Sequence, residues 1–200
     1  MNYLKHYAID AKVSQNEIGK LYDNKAWFYD AWAYCTESKV RNMALEYANI
    51  HDNQSILEVA VGTGLMFLEI LKRNPNGENF AIDISEGMLL KAKKRLSKQK
   101  NDNYSLSIGS AFNLKIKDIS IDVLINNYMF DLIPFNKMDS IIDEFNRVLK
   151  KNGKLLIINI TKSEKFGAGL YENLYRISPR LMGGAWSSVG RFINSPWISY

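Results

Sequence analysis

The sequence predicts a doubly wound α/β fold, in which helices cover both faces of a mostly parallel sheet. Short apolar segments rich in strand-forming residues alternate with segments of helical periodicity, and no internal repeat or low-complexity linker interrupts them. Strands that are separated by helices pair in parallel through right-handed crossovers. We expect five parallel strands in the spatial order 3-2-1-4-5, followed by an incomplete or atypical C-terminal strand pair.

The predicted strands are runs of apolar and β-branched residues at 55–61, 80–84, 104–108, 121–125 and 154–160. A helix through Leu65, Leu68 and Leu71 follows the first strand, and the Asn-Pro-Asn-Gly sequence at 74–77 ends it. After the second strand, Ser85 is the expected N-cap of another helix.

A third helix is predicted between the fourth and fifth strands. Gly153 is the expected left-handed residue at its end. Its apolar face consists of Met138, Ile141, Ile142, Phe145, Val148 and Leu149.

Composition narrows the class of protein. The chain has 200 residues, of which 46% are hydrophobic and 24% charged, which suits a single globular domain. Cys35 is the single cysteine, so an internal disulfide is excluded, and with only two histidines we expect no metal site. Residues 1–10 carry no apolar signal segment and no apolar run approaches the ~20 residues of a membrane span, so a cytoplasmic location is expected.

Much of the basic excess, a net charge of +5, lies at residues 91–100. No aromatic residues interleave these lysines, as a stacking surface for nucleic acid would require. We therefore interpret the segment as the solvated face of a helix whose Leu89, Ala92 and Leu96 point inward, and expect no nucleic-acid partner.

Functional residues are expected just after the strands, because parallel sheets bind ligands where the strand order reverses. Glu58 precedes a turn containing Gly62 and Gly64, and glycines let a backbone approach a ligand closely. The acidic side chain suits a cationic group such as an α-amine. Asp83 closes the second strand, where a carboxylate accepts hydrogen bonds from ribose hydroxyls.

A glycine turn followed by an acid is also typical of nicotinamide-dependent oxidoreductases. Their fingerprint needs a glycine where Phe67 stands, and Glu58 would repel a pyrophosphate. The pattern favours an adenosine with an amino-acid tail over a dinucleotide.

The segments 56–64, 81–89, 109–112, 121–128 and 147–155 together resemble the successive motifs of Rossmann-like class I S-adenosylmethionine (SAM)-dependent methyltransferases. The ubiquinone/menaquinone C-methyltransferases and bacterial phospholipid N-methyltransferases are the groups most similar. The resemblance implies methyl transfer from SAM to a small-molecule or lipid-like acceptor, and it implies nothing about which acceptor.

The resemblance also implies roles for individual residues. Glu58 and the turn of Ala60, Gly62, Thr63 and Gly64 would hold the methionine moiety of SAM, and Asp83 the ribose. Ile84 and Met88 would flank the adenine, and Ala111 and Phe112 would meet its edge and face. The space near the reactive methyl group would be lined by Asn126 and Asn127.

Two positions depart from the family pattern. Ala60 replaces the first glycine of the turn, so that residue is expected to take a negative φ. Ser110 stands where an acid often binds the adenine amine, so that contact is expected to be weaker or to come from backbone.

The aromatic-rich segment 22–34 precedes the first strand. In the resembling enzymes such a segment folds over the cofactor as a lid, which would bring Tyr22 and Tyr29 near the methionine carboxylate; packing of these aromatics onto the sheet is the alternative. No residue is assigned a catalytic role. Residues of the types that serve as a general base are Tyr29, Asp30, Asp131 and His51.

Residues 1–50 are thus expected to form a helical lid, 51–160 the SAM-binding core, and 161–200 a helix and atypical tail of the same domain. Only one strand is expected in 191–200, where Pro196 interrupts it. That tail is expected to cover the fifth strand or to dock on a second subunit as a homodimer. The alternative function is a SAM-binding protein that no longer catalyses because its C-terminal region is shortened.

Overall fold

The computed structural model describes residues 41–99 and 102–159 of the chain. After helical residues 41–48, the order is β1 (Ser55–Val59), α1 (Leu65–Arg73), β2 (Glu78–Asp83), α2 (Glu86–Leu96), β3 (Tyr104–Ile108), β4 (Ile121–Asn127), a short 3-10 helix (Phe130–Leu132), α3 (Phe135–Val148) and β5 (Leu149–Ile158). The predicted lid, including Tyr22 and Tyr29, and the predicted tail lie outside the described residues. The three-part division of the chain stays a prediction.

The sheet has five strands, all parallel, in the order β3-β2-β1-β4-β5. This confirms the predicted fold class and strand order. Between β4 and β5 the register shifts, because Ile121 pairs with Leu149 but Val123 pairs with Lys154.

Two apolar clusters cover the faces of the sheet, as alternate side chains of each strand point to opposite sides. One cluster contains residues 44, 45 and 48, the buried faces of α1 and α2, and Ile56. The other contains Leu57 and the buried face of α3. The carboxyl edge of the sheet stays uncovered between the two layers, among the described residues.

The helices differ in part from the sequence expectation. In α1 the buried residues are Met66, Phe67, Ile70 and Leu71, so the inward face is not centred on Leu65 and Leu68. In α2 the Ser85 hydroxyl accepts a hydrogen bond from the Met88 N–H at 3.1 Å, which confirms the predicted N-cap. Leu89, Ala92 and Leu96 are buried, as predicted.

Gly153 does not end α3, so that prediction is wrong. The helix stops at Val148, and β5 begins at the next residue. Gly153 lies in the irregular stretch of β5, where an added Cβ would be 2.9 Å from the Lys150 carbonyl oxygen and 3.0 Å from that of Ile121. This glycine is needed for close backbone approach rather than for a left-handed cap.

A buried amide network fastens the amino edge of the sheet. The Asn79 amide donates to the carbonyls of Asn74, Gly77 and Asn103 at 3.0, 3.2 and 3.1 Å. The Asn74 amide donates to the Gln54 carbonyl at 2.8 Å. Gln54, Gly77 and Asn103 directly precede β1, β2 and β3. Asn79 is the second residue of β2, so the network joins the entries of three strands.

Within 41–99 and 102–159, the helices are too short or too polar to cross a membrane. The same residues hold no cluster of three histidine, cysteine or acidic side chains suited to a metal ion.

Candidate functional site

A cleft opens at the carboxyl edge of the sheet, above the ends of β1, β2 and β4. Eight residues with predicted site roles line it: Ala60, Gly62, Asp83, Ile84, Met88, Ala111, Phe112 and Asn127.

The turn after β1 forms the floor of the cleft. Ala60, Gly62 and Gly64 have φ angles of 62°, 55° and 79°, so the expectation of a negative φ at Ala60 is wrong. The reason is tertiary: the N–H groups of Ala60 and Val61 both donate to the Ile82 carbonyl, at 2.8 and 3.1 Å, and so bend the chain. Gly64 also lies against α2, because a Cβ there would be 3.1 Å from the Ala92 Cβ.

The same turn is held from below by α2. Thr63 is buried and does not line the cleft; its hydroxyl accepts a hydrogen bond from the Arg95 guanidinium at 2.7 Å, and its carbonyl accepts another from the same nitrogen. Thr63 and Gly64 therefore fix the shape of the turn instead of facing the cleft.

Asp83 connects the β1 turn to the start of α2. Its Oδ2 accepts a hydrogen bond from the Gly62 N–H at 2.8 Å, and its Oδ1 accepts one from the Ser85 N–H at 2.9 Å. The side chain is 8% exposed and lines the cleft. A carboxylate that lines a cleft is a hydrogen-bond acceptor for hydroxyl groups of a ligand.

Glu58 is a buried carboxylate beneath the cleft, with 1% of its surface exposed. Its Oε1 accepts a hydrogen bond from the Asn127 amide at 3.1 Å, and its Oε2 has no partner among the described residues. Burial raises the pKa of Glu58 well above its usual range, and the negative charge of Asp83 adds to that effect; the Asn127 bond and Arg41 oppose it. A cationic ligand would supply the missing partner.

Asn126 and Asn127 have different positions although both were predicted beside the cofactor. Asn127 lines the cleft, and its Oδ1 is buried without a partner in the described part of the chain. Asn126 is fully buried away from the cleft, where its amide donates to the Val59 carbonyl at 2.9 Å. Asn126 thus ties β4 to β1.

The far wall of the cleft is apolar. Met88 and Ala111 are buried, whereas the Ile84 side chain is 45% exposed. The loop that carries Ala111 and Phe112 is fastened to α3 by Arg147, whose guanidinium donates to the carbonyls of Leu114 and Ile116 at 2.9 and 3.0 Å and to Asp118 and Glu144.

Sequence reasoning missed the segment that closes the cleft after β4. Tyr128 has a φ of 53°, and its N–H donates to the Ile158 carbonyl at 2.7 Å. The signal available was the apolar sequence that directly follows a predicted strand. The further lining residues are Met129, Leu132 and Ile133, with Val59, Ile82, Ser85, Gly109 and Ser110 on the other sides.

Of the candidate general bases, His51 is the one whose side chain the structure describes, and it lies away from the cleft. His51 is exposed before β1, at the amino edge, where its ring nitrogen lies 3.0 Å from the Asn49 amide nitrogen. Asp131 lies in the 3-10 helix after β4. Tyr29 and Asp30 lie outside the described residues.

Comparison with known proteins gives a consistent result. A family described as methyltransferase domain matches residues 50–183. A malonyl-acyl-carrier-protein O-methyltransferase from Priestia megaterium is 29% identical over 165 residues, 82% of this chain and 56% of the relative. A demethylmenaquinone methyltransferase from Bacteroides fragilis is 26% identical over 83% of this chain and 70% of its own.

Among solved structures, a SAM-dependent methyltransferase from Aquifex aeolicus has the same fold, with a TM-score of 0.55 and 23% identity over 62% of this chain and 66% of its own. The chain spans 56% of the length of the malonyl-acyl-carrier-protein O-methyltransferase from Priestia megaterium.

Proposed function

This chain belongs to the methyltransferase domain family, and we propose that it transfers a methyl group from SAM to a small-molecule or lipid-like acceptor. The observation that carries the proposal is the position of two buried acceptor atoms without a donor among the described residues: Glu58 Oε2 lies beneath the cleft, and Asn127 Oδ1 belongs to its lining. Buried polar atoms are rarely left without partners unless a ligand or water supplies them.

The cleft fits SAM in three parts. The α-ammonium group carries three N–H donors and a positive charge, which match Glu58 and Asn127. The ribose hydroxyls would donate to the Asp83 carboxylate, which lines the cleft. The adenine would lie against the apolar wall of Ile84, Met88 and Phe112.

The residues of the chain act by binding and orientation. When bound, SAM would supply a methyl group carried by a sulfonium sulfur. In an in-line displacement the methyl group passes to the acceptor, and the sulfur leaves as a neutral thioether. Glu58 and Asp83 would hold the ammonium group and the ribose, which lie on either side of the sulfonium sulfur, so the methyl group would be presented in one direction. Alignment of this kind, with water excluded, contributes up to about 7–11 kcal/mol to such reactions.

The proposed class of acceptor is broader than the particular acceptors that appear in the relatives' names. Those names refer to demethylmenaquinone and to a malonyl group on acyl-carrier protein, which are a ring and a carboxylate. Either acceptor lies within the small-molecule or lipid-like class. A carbon or hydroxyl acceptor also needs a general base.

Calorimetric titration with SAM, S-adenosylhomocysteine and NAD tests binding. We expect one SAM or S-adenosylhomocysteine per chain and no NAD. Cell extract incubated with the protein and methyl-labelled SAM then tests transfer, with mass spectrometry to find the labelled product. Binding of NAD alone contradicts the proposal at the first step. Tight SAM binding without any labelled product favours the alternative of a SAM-binding protein that does not catalyse.

A further inference from the structure

The basic segment 91–100 does not form one uniform solvated face. Lys93 and Lys94 are exposed on α2, as the sequence predicted. Arg95 is half-buried, and its guanidinium donates hydrogen bonds to the Thr63 hydroxyl at 2.7 Å and to the Thr63 carbonyl. One basic residue of the segment is therefore bonded to the turn after β1, 32 residues earlier in the chain.

The turn is held at two consecutive residues by two different elements. The Gly62 N–H donates to Asp83 at the end of β2, and Thr63 accepts from Arg95 on α2. Thr63 is 5% exposed, so water has little access to replace a lost bond to its hydroxyl. Asp83 lines the cleft, whereas neither Thr63 nor Arg95 is among the described residues that line it. The bonds from Arg95 thus lie behind the site and not within it.

Such restraint matters because glycines flank Thr63. Gly62 and Gly64 both have a positive φ, and glycine loses more conformational freedom on ordering than any other residue. The apparent affinity of a ligand falls with the fraction of the protein whose site has the competent conformation. Bonds that hold Thr63 in place therefore raise ligand affinity without touching the ligand.

We propose that Arg95 is a positioning residue for the SAM site: by binding Thr63 it keeps the turn in the conformation in which the Gly62 N–H reaches Asp83. The inference rests on the proposed SAM function. It gives a role in cofactor affinity to one residue of a segment whose exposed lysines have none. Arg95 acts through Thr63 and not through its charge.

The test is a double-mutant cycle on Arg95 and Thr63, with the affinity for S-adenosylhomocysteine measured by calorimetric titration. Arg95→Met removes the donors and keeps most of the aliphatic chain, and Thr63→Val removes the hydroxyl and keeps the branched shape. We expect Arg95→Met to weaken binding roughly tenfold, the lower end of the factor for a lost hydrogen bond to a charged group. Thr63→Val should cause a smaller loss, because the bond to the Thr63 carbonyl remains, and no further loss in the Arg95→Met background.

Two matched variants separate positioning from other effects. Lys94→Met removes the same charge from the exposed neighbour of Arg95 and should leave the affinity unchanged. Thr63→Ser keeps the hydroxyl that Thr63→Val removes and should retain wild-type affinity. Without ligand, the amides of residues 60–64 should exchange hydrogen faster in Arg95→Met than in the wild type.

A lower melting temperature of Arg95→Met without a loss of affinity would make this residue merely structural and overturns the inference. An equal loss of affinity in Lys94→Met overturns it because charge alone would then explain the effect. A double variant whose loss is the product of the two single losses overturns it too, since the two residues would act independently. Should Arg95→Met fail to fold, equal affinities of Thr63→Val and Thr63→Ser overturn the inference. Wild-type protein that binds neither SAM nor S-adenosylhomocysteine contradicts the proposed function itself.

Discussion

Glu58→Gln tests the charge beneath the cleft with the smallest change of shape. Glutamine keeps the volume of glutamate and an oxygen that accepts from the Asn127 amide, which lies 3.1 Å from Oε1 in the wild type. What the variant removes is the negative charge beside the unpartnered Oε2. Glu46→Gln makes the same chemical change on the exposed side of residues 41–48 and serves as the control.

The expected loss follows from the burial of Glu58. With 1% of the residue exposed, solvent does little to screen its interaction with a ligand cation. A hydrogen bond to a charged partner contributes about 1.5–3 kcal/mol, so Glu58→Gln should weaken SAM binding roughly 10–150-fold. Adenosine lacks the ammonium group and should bind both proteins equally.

The pH dependence of SAM affinity has a definite sign. The pKa of Glu58 is raised by burial, so the ligand-free carboxyl holds a proton above the pH at which an exposed glutamate loses it. Binding of the ammonium group favours the ionised form and releases that proton. Wild-type affinity should rise as the pH rises through the raised pKa of Glu58, for as long as the α-amine of the ligand, with a pKa near 7.7, stays protonated. Glu58→Gln should show no such rise.

The stability of the ligand-free protein depends on pH with the opposite sign to its SAM affinity. A carboxyl whose folded pKa is raised stabilises the fold below its unfolded pKa of about 4.3, and this contribution is lost as the pH rises through the folded value. At neutral pH and without ligand, Glu58→Gln should therefore melt no lower than the wild type. Titrations in buffers of different ionisation enthalpy measure the released proton. Equal SAM affinity of the two proteins, or equal proton release, would refute the role of Glu58.

Three further outcomes are expected. Asp83→Ala removes the acceptor of the Gly62 and Ser85 N–H groups and should weaken SAM binding about 10–150-fold; unchanged affinity in a titration would show that Asp83 does not hold the ribose. Arg147→Met should lower the free energy of unfolding by about 1–3 kcal/mol in a denaturant titration, and more than Arg73→Met, whose partner is Glu69 on the same helix; equal effects would mean that the loop does not need Arg147. Hydrogen exchange of the predicted lid, residues 22–34, should slow when SAM is added, and identical exchange in both states would leave core packing as the role of these aromatics.

The strand order and the Ser85 cap could be predicted because both depend on local patterns. The cap needs only a hydroxyl before a helix, and the alternation of strands and helices restricts the topology. The inward face of α1 could not be read as reliably. More than one face of α1 is apolar at helical spacing, so the sequence does not fix which face turns inward. Contact with the sheet buries Phe67 and Ile70 rather than Leu65 and Leu68.

The positions of Ala60 and Gly153 depend on contacts distant in sequence. Residue preference alone assigns Ala60 a negative φ, and the Ile82 carbonyl on β2 reverses it. Gly153 was placed at a helix end because β5 starts earlier than its apolar run, a consequence of pairing with β4. The sequence predicted the candidate site at the carboxyl ends of the strands, where the structure has its cleft. The direction of each side chain, as at Asn126, depends on the alternation along the folded strand and could not be predicted.

The amide network of Asn74 and Asn79 gives the molecule mechanical asymmetry. Because these buried side chains join the entries of β1, β2 and β3, those strands cannot slide past one another without breaking several hydrogen bonds at once. At the opposite edge, the described turn after β1 is held by separate hydrogen bonds to β2 and α2, such as those of Gly62 to Asp83 and of Thr63 to Arg95. We therefore expect any rearrangement on ligand entry to fall on the turns, while the amino edge of the sheet keeps its register.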